Sequence, residues 1–414
     1  MNSQIHIAVI GAGIVGCSCA LWLQKKGFRV TLIDPAEPGS GTSSGNAGTI
    51  AEYGCIPVNS PDLLRRLPAL LFSNNSPLSL DLGYVLSHPG WMLDFLINCR
   101  EHKVERITRL LGKLLAKVYE GLDPLLDMAQ ARDLLTQQGF LDVYRDEREF
   151  NAAKKYIQTR RRYYSEFVEL DQGDIRALEP NLKIPFARGL LADGISHVLD
   201  PMALCQRYVE CFLRNQGRLL RQRALEVRHG AGAVEIQLDS GANIEAERVV
   251  VAAGAFSKSI EGIPTQLLKL DTERGYHVQF GGKQHLLSRP VSWRQAGFYA
   301  TPMNLGLRFA GTVEIAGYHG EINPGIIDYL TRKAQEMLEL PDKPDQEWLG
   351  FRPTCPDALP VIGFSTVSEY IIYAFGHQHL GLTLSGITGK LIAELANGED
   401  PSHNITPFSP RRFL

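Results

Sequence analysis

The chain has 414 residues, of which 44% are hydrophobic and 21% charged, as in an ordinary globular protein. At about 150 residues per domain, this length predicts two or three domains. The apolar content excludes a disordered chain and a small disulfide scaffold. Because 43 basic residues face 45 acidic ones, for a net charge of −2, nothing in the composition indicates a nucleic-acid partner.

The seven cysteines include no CxxC pair, so neither a metal site nor a disulfide framework is predicted, and a reduced, cytoplasmic protein is expected. No basic region or cleavage site marks the N-terminus as a signal peptide. No apolar run reaches the roughly 18 residues that a membrane-spanning helix needs. Peripheral contact with the cytoplasmic face of a membrane and self-association are left open.

The first predicted unit is strand–helix–strand. An apolar strand over residues 5–10 precedes a Gly-x-Gly-x-x-Gly turn at 11–16, a helix to residue 26 and a second apolar strand over 28–33. Asp34 ends that strand, 18 positions after Gly16, close to the roughly 20 of a dinucleotide-binding fingerprint. The complete context makes the motif far more specific than its glycines alone.

Each glycine of this turn has a physical task. Gly11 permits the tight turn, Gly13 lets the backbone approach a pyrophosphate, and Gly16 allows close helix–strand packing. The helix N-terminus, at Ile14 and Val15, presents free N–H groups to phosphate. Asp34 is expected to accept hydrogen bonds from ribose hydroxyls and to repel a 2′-phosphate, which favours FAD or NAD over NADP.

Further along the chain, the composition alternates between helical and strand-like stretches. Residues 61–136 are mostly helical in composition, with breaks expected at Gly121 and Pro124. Helices are also predicted over 149–167, 202–217, 325–339 and 382–395, and strands over 139–144, 219–227, 233–238, 248–252 and 371–375, with several β-like runs between 271 and 318. The basic-aromatic run at 160–164 is interpreted as a solvated helix face.

Several segments together resemble the D-amino-acid oxidase-like superfamily of FAD-dependent oxidoreductases, most closely the small-subunit type of bacterial D-amino-acid dehydrogenase. The resemblance covers nearly the whole chain. The last two of its segments are the most specific. The segments are GAGIVG at 11–16, TSSGNAG at 42–48, RGYHVQF at 274–280, GTVE at 311–314, GFRPTCPDALPVIG at 350–363 and GHQHLGLTLSGITG at 376–389.

The resemblance implies an α/β (α+β) fold with two domains. A Rossmann-like FAD-binding domain would be assembled from residues 1–58, 165–265 and 349–414. A mixed-sheet substrate domain with helices would comprise residues 59–164 and 266–348. The cofactor implied is FAD. It is expected to be non-covalent, because Gly350 stands where some related enzymes carry a flavin-linked cysteine and Cys355 lies elsewhere in the motif.

The resemblance also assigns residues. Arg352 would bind a substrate carboxylate, since a guanidinium matches a planar anion. Tyr53 and Tyr276 are candidate walls of the substrate pocket, and His377 a candidate catalytic group, whereas Gln378 and His379 replace small residues and receive no role. The remaining expected FAD contacts are Thr42, Ser43, Ser44, Asn46, Ala47, Gly48, Val227, Ala253, Gly254, Gly376, His377, Gly381, Leu382 and Thr383, with the helix after Leu382 directing its dipole at the flavin.

The implied reaction is oxidative deamination of a D-amino acid, or of a cyclic imino acid such as D-proline or hydroxy-D-proline. The α-hydride would pass to flavin N5, and the electrons to a quinone-type acceptor. Alternatives remain: a glycine- or sarcosine-type amine oxidase that uses oxygen, a hydroxy-acid-oxidising enzyme on the same scaffold, or a flavin subunit of a heteromeric amine dehydrogenase. The substrate partner is in every case a small molecule.

Overall fold

The computed structural model describes residues 4–61, 63, 78–164, 166–230, 232–264 and 268–414. Within these residues, no helix is long and apolar enough to cross a bilayer. The helices are α1 (Ile14–Lys25), α2 (Leu82–Ser87), α3 (Pro89–Asn98), α4 (Glu101–Leu115), α5 (Val118–Met128), α6 (Glu147–Arg161), α7 (Gln172–Leu178), α8 (Pro201–Arg214), α9 (Pro324–Met337) and α10 (Gly381–Ala396).

Strands account for most of the remaining regular structure. The first ten are β1 (His6–Ile10), β2 (Arg29–Ile33), β3 (Leu78–Leu80), β4 (Leu135–Gln137), β5 (Phe140–Tyr144), β6 (Phe167–Asp171), β7 (Arg188–Ala192), β8 (Ser196–Val198), β9 (Arg218–Leu220) and β10 (Ala224–His229). The others are β11 (Val234–Leu238), β12 (Asn243–Ala246), β13 (Arg248–Val251), β14 (Asp271–Phe280), β15 (Val291–Trp293), β16 (Phe298–Met303), β17 (Gly306–Ile315), β18 (Gln346–Thr354), β19 (Val361–Phe364) and β20 (Ile371–Phe375).

The first of the two large sheets has six strands in the order β19-β20-β13-β1-β2-β9. β1 pairs in parallel with β2 on one side and with β13 on the other. Its five residues are all buried, as a continuously apolar strand between two parallel neighbours should be. β20 extends the parallel array, and β19 closes it in the antiparallel sense.

Helices α1, α5 and α10 cover one face of this sheet in close backbone contact. A Cβ on Gly389 of α10 would lie 2.7 Å from the carbonyl oxygen of Ser18 in α1. A Cβ on Gly121 of α5 would lie 2.1 Å from the amide nitrogen of Ile387. The predicted breaks at Gly121 and Pro124 are therefore wrong: both residues lie inside α5, where this packing outweighs the poor helix propensity of glycine and proline.

The second large sheet is mixed and has nine strands. Eight follow the order β18-β14-β17-β16-β15-β5-β7-β6, and β3 pairs in parallel with β17. β14 and β17 are its longest members, with ten residues each, and pair in the antiparallel sense with a register shift near Arg274. A separate three-stranded sheet, β10-β11-β12, packs beside β13.

The two large sheets draw on interleaved parts of the chain. The six-stranded sheet takes strands from residues 6–33, 218–251 and 361–375, as an assembly from separated segments requires. However, β6 and β7 lie within residues 165–265, which were predicted for the FAD-binding domain, and yet they belong to the nine-stranded sheet. β6 pairs with β7, and β7 pairs with β5. A domain boundary drawn by pairing would follow β7 rather than precede β6.

Candidate active site

A cavity of about 1680 Å³ lies between the two large sheets. It is larger than the roughly 300–1,000 Å³ that holds a drug-sized ligand. It begins where parallel strands β1, β2 and β13 end, the position at which open α/β sheets bind nucleotides. The predicted residues that line it are Gly11, Gly13, Ile14, Val15, Asp34, Thr42, Ser43, Asn46, Ala47, Gly48, Tyr53, Ala253, Gly254, Arg352, His377, Gly381 and Leu382.

The turn after β1 has space for glycine alone. Gly11 has a φ of +107°, and a Cβ there would lie 2.5 Å from the carbonyl oxygen of Ala252. A Cβ on Gly16 would lie 1.8 Å from the carbonyl oxygen of Gly11. Gly16 therefore acts by packing α1 against the turn, whereas residues 11–15 of the motif line the cavity.

Asp34 and the start of α1 form the nucleotide end of the cavity. The Asp34 carboxylate accepts hydrogen bonds from the amides of Ala12 at 2.7 Å and Ala36 at 2.8 Å, which fixes its orientation. The first turn of α1 contains no acidic residue. The Ser43 hydroxyl oxygen lies 3.0 Å from the Ile14 amide nitrogen, where a phosphate oxygen would find the same donor.

The loop over residues 41–48, which we call the cofactor loop, is held by side chains of the nine-stranded sheet. The buried Arg308 guanidinium donates to the carbonyl oxygens of Ser44 at 2.7 Å and Asn46 at 3.0 Å. The Thr301 hydroxyl donates to the carbonyl oxygen of Ala47 at 2.9 Å. These bonds satisfy backbone acceptors that would otherwise be costly to bury, and they place the loop between the sheets.

An aromatic pair seats the same loop. His277 stacks on Trp348 with ring centres 5.1 Å apart, and its Nδ1 lies 3.1 Å from the carbonyl oxygen of Gly45. A Cβ on Gly45 would lie 2.3 Å from the Trp348 ring. Burial lowers the pKa of His277 to about 3, and the nearby Arg308 adds to this effect, so the imidazole is neutral and its Nδ1–H donates to the loop.

At the far end of the cavity, helix α10 begins at Gly381 and points its N-terminus inward. His377 precedes it, with Nε2 3.0 Å from the Thr388 hydroxyl. Burial lowers the pKa of His377 to about 3, so its ring is neutral. The Thr383 hydroxyl accepts the amide of Ala51 at 3.0 Å, and thus ties α10 to the segment after the cofactor loop.

Arg352 reaches this region from β18. Its guanidinium lies over Gly275, where a Cβ would be 2.3 Å from the arginine Cζ, and donates to the carbonyl oxygen of Thr312 at 2.8 Å. Thr312 has a φ of +55°, an unusual conformation for a β-branched residue. Burial lowers the pKa of Arg352, an effect that Glu273 opposes. Several guanidinium N–H groups remain for an anion in the cavity.

Tyr53 lines the cavity as predicted, with its ring in a buried aromatic cluster. It stacks on Phe140 with ring centres 4.5 Å apart, and the Arg160 guanidinium lies 4.3 Å from its ring centre. Asp142 balances the arginine through a buried ion pair of 2.5 Å. Burial raises the pKa of Tyr53 well above its ordinary value, so the phenol is neutral and serves as a wall.

Tyr276 does not line the cavity. Its ring lies in the core of the nine-stranded sheet, and its hydroxyl donates to Glu314, which pairs with Arg274 at 3.1 Å. Val227 is likewise buried in the core beside β13, and the cavity is reached instead by Ala224 at the start of the same strand. The other predicted residues that lie behind the lining are Gly16, Ser44, Gly376 and Thr383.

Sequence reasoning missed four residues at this site: Glu273, Arg294, Arg308 and Trp348. The Arg294 guanidinium lies 3.5 Å from the Tyr156 ring centre, and both residues line the cavity. Arg308 and Trp348 hold the cofactor loop. The one available signal was proximity in sequence to the quoted segments, since Glu273 directly precedes RGYHVQF; the contacts themselves join distant parts of the chain.

The turn, the fixed Asp34 and the helix N-terminus define a dinucleotide-binding protein, and the cavity has room for FAD and a small substrate. The comparison with protein families agrees. The DAO family model, described as FAD dependent oxidoreductase, matches residues 6–395. The chain belongs to this family, and FAD is its cofactor. Gly11, Gly13 and Asp34 would hold the adenosine and pyrophosphate, and α10 would face the flavin.

Curated relatives and solved structures extend the comparison. The chain is 31% identical to a D-amino-acid oxidase from Bradyrhizobium diazoefficiens over 417 residues, covering 99% of both chains. It is 26% identical to a D-amino acid dehydrogenase from Helicobacter pylori, covering 94% of both. Its fold matches glycine oxidase from Geobacillus kaustophilus with a TM-score of 0.74 at 21% identity, covering 99% of this chain and 100% of that one.

We predict that His277 makes stability depend on pH. Its folded-state pKa of about 3 lies below the ordinary 6.5, so unfolding takes up a proton and stability is lost as pH falls from 6.5 towards 3. Between about pH 6 and about pH 5, one such histidine costs about 1 kcal/mol. Urea titrations at several pH values in this window give the free energy of unfolding at each pH. Its slope against pH should be shallower for His277→Gln than for wild type, by nearly one proton.

The exposed His285 provides the matched control, since it lies outside the cavity. His285→Gln should leave the slope unchanged. An unaltered slope in His277→Gln would show that this imidazole ionises in the folded protein.

Proposed function

We propose that this enzyme oxidatively deaminates a D-amino acid, or a cyclic imino acid of the D-proline or hydroxy-D-proline type, and passes the electrons to a quinone-type acceptor. Arg352 carries the proposal, because it places a half-buried guanidinium with free donors in the same cavity as the dinucleotide site. Both curated relatives described above have names that specify D-amino acids. A zwitterion with one carboxylate suits this single placed cation.

The chain's own residues bind and orient the substrate. Arg352 holds the carboxylate through paired N–H donors, and the carbonyl oxygens of Thr312 and Gly311 fix the guanidinium from behind. The neutral phenol of Tyr53 and the start of α10 limit the remaining space. Bound FAD would supply the acceptor for the α-hydride. Holding the reacting carbon in one position supplies much of the rate enhancement.

Oxygen is the second candidate acceptor. The Bradyrhizobium relative is named an oxidase and the Helicobacter relative a dehydrogenase, so the names divide on this point. Glycine, sarcosine or another secondary amine is the second candidate substrate, since the Geobacillus structure is of a glycine oxidase. A quinone acceptor would bring the enzyme to the cytoplasmic face of a membrane as a peripheral protein.

Non-covalent FAD is part of the proposal. No cysteine lines the cavity among the described residues, and Cys355 is buried behind it, with a pKa that burial raises to about 12. Acid precipitation of the holoenzyme should release the flavin into the supernatant; a coloured protein pellet would contradict non-covalent binding.

Anaerobic mixing of the holoenzyme with a panel of amines tests the reaction. D-amino acids or D-proline derivatives should bleach the oxidised flavin, and their L enantiomers should not, because Arg352 and the pocket walls present one face of the α-carbon. Ammonia release distinguishes primary amines from hydroxy acids. Formation of stoichiometric hydrogen peroxide in air would identify oxygen, and not a quinone, as the electron acceptor. A flavin that no amine in the panel reduces would contradict the proposed function.

Arg352 itself can be tested by substitution. Arg352→Met should raise KM for carboxylate substrates about 100-fold, since charge-assisted hydrogen bonds contribute roughly 1.5–3 kcal/mol. KM for an amine without a carboxylate should stay nearly the same. The exposed Arg148→Met serves as the control for loss of a positive charge. An equal KM increase for both kinds of amine would show that Arg352 supports the fold and not the carboxylate.

A further inference from the structure

Beside Arg352, the cavity is lined by a histidine whose ring bonds to a buried carboxylate behind it, and substrate binding leaves this pair unused. The Nε2 atom of His379 lies 3.2 Å from Glu273 Oε2. Glu273 is fully buried, and its second oxygen, Oε1, has no hydrogen-bond partner among the described residues. The His379 side chain is 34% accessible and lines the cavity. A buried carboxylate thus stands behind an imidazole that faces the substrate space.

We propose that His379 accepts a proton from the substrate ammonium before oxidation and that Glu273 is its positioning residue. This inference rests on the proposed amine substrate. An amino acid in neutral solution carries an ammonium group, whose nitrogen has no lone pair to support departure of the α-hydride. One N–H bond of the substrate breaks, its electron pair stays on nitrogen, and a new N–H bond forms on His379. No external oxidant or reductant is needed for this step.

The hydrogen bond to Glu273 selects the atom that reacts. A carboxylate accepts only, so His379 Nε2 must carry the proton of this bond. The other ring nitrogen, Nδ1, then has its lone pair available to the cavity. Glu273 stabilises the imidazolium that forms, as the carboxylate does in catalytic triads. The other carboxylate oxygen of Glu273, Oε1, accepts no hydrogen bond among the described residues. No other donor there therefore competes with His379 for the carboxylate.

The strand register places this pair next to the carboxylate site. Glu273 of β14 lies opposite Arg352 of β18 in the antiparallel ladder, and directly opposite residues share one face of a sheet. A substrate whose carboxylate binds Arg352 would therefore have its amino group close to His379. The substrate carboxylate would thus contact Arg352, its ammonium would contact His379, and its reacting carbon would face the flavin.

The charges around His379 explain how it can be neutral before substrate binds. Burial lowers its pKa, the neighbouring Arg352 lowers it further, and Glu273 raises it. His377, two positions earlier in the chain, is neutral and bonded to Thr388. A bound carboxylate would offset the charge of Arg352 and so oppose one of the two effects that lower the pKa of His379.

Rapid anaerobic reduction of the holoenzyme tests the proposal across pH. At neutral pH, His379→Ala should reduce flavin about 100-fold more slowly, the lower end for general-base catalysis. The deficit should shrink towards wild type above the pKa of the substrate amine, where the free base binds directly. Added imidazole should restore the rate in proportion to its concentration. A deficit of equal size at every pH, without rescue, would overturn the proposal.

Three further variants separate chemistry from structure. Glu273→Gln keeps a hydrogen-bond partner but removes the charge, and should slow reduction at least about tenfold at neutral pH, since an adjacent carboxylate raises a base's pKa by about one unit or more. His285→Ala is the exposed control. Bound flavin and the affinity for a simple aliphatic carboxylate, read from the flavin spectrum, should be unchanged in His379→Gln, because Arg352 holds that ligand.

The outcomes also separate this inference from the proposed function. If wild-type flavin is reduced by no amine, the proposed function fails. If wild type is reduced and both His379 variants show the wild-type pH profile, only the assignment of the base fails.

Discussion

The hydrogen bonds from Arg308 to the cofactor loop are the constraint on which the site depends. A buried guanidinium on one sheet donates to two carbonyl oxygens of a loop that follows a strand of the other sheet. Burial lowers the pKa of Arg308 to about 10, which still leaves it charged at neutral pH. The two sheets are thereby held at a fixed separation, and the space between them becomes the cavity.

Glycine residues allow large side chains to pack directly against the backbone around the cavity. Gly275 lets the Arg352 side chain cross a neighbouring strand, and Gly45 admits the Trp348 ring against the loop. In both places a single added carbon would occupy the position of a side chain that the site uses. The glycines that matter most are therefore not all in the nucleotide motif, and several serve side chains rather than the dinucleotide.

The sequence predicted the local features of the fold well. Continuous apolar runs located β1, β2 and β20, and the glycine spacing located the turn before α1, because these patterns reflect contacts between close neighbours in sequence. It failed where distant residues decide the outcome. Gly121 continues a helix where α10 packs closely against it, and Pro124 lies in the same helix. Tyr276 points away from the cavity, and its hydroxyl binds Glu314.

The candidate site shows the same division. Sequence motifs predicted Arg352 and the cofactor loop, whereas Arg308 and Glu273 act through partners more than 100 positions away in the chain. A side chain's function then depends on strand register, which no local pattern records. His379 stands in the sequence as an exception to the family pattern, but its partner Glu273 lies 106 positions away and is joined to it only by the fold.

The order of strands in the six-stranded sheet has a consequence for how the chain folds. β1 near residue 6 lies in the middle of the sheet, but its neighbour β13 is made some 240 residues later, and β20 later still. Such non-local pairing is slow to form, because long loops must close before the contacts stabilise them. During synthesis, one edge of β1 therefore stays unpaired until β13 has been made, and an unpaired apolar strand edge favours aggregation of an incomplete chain.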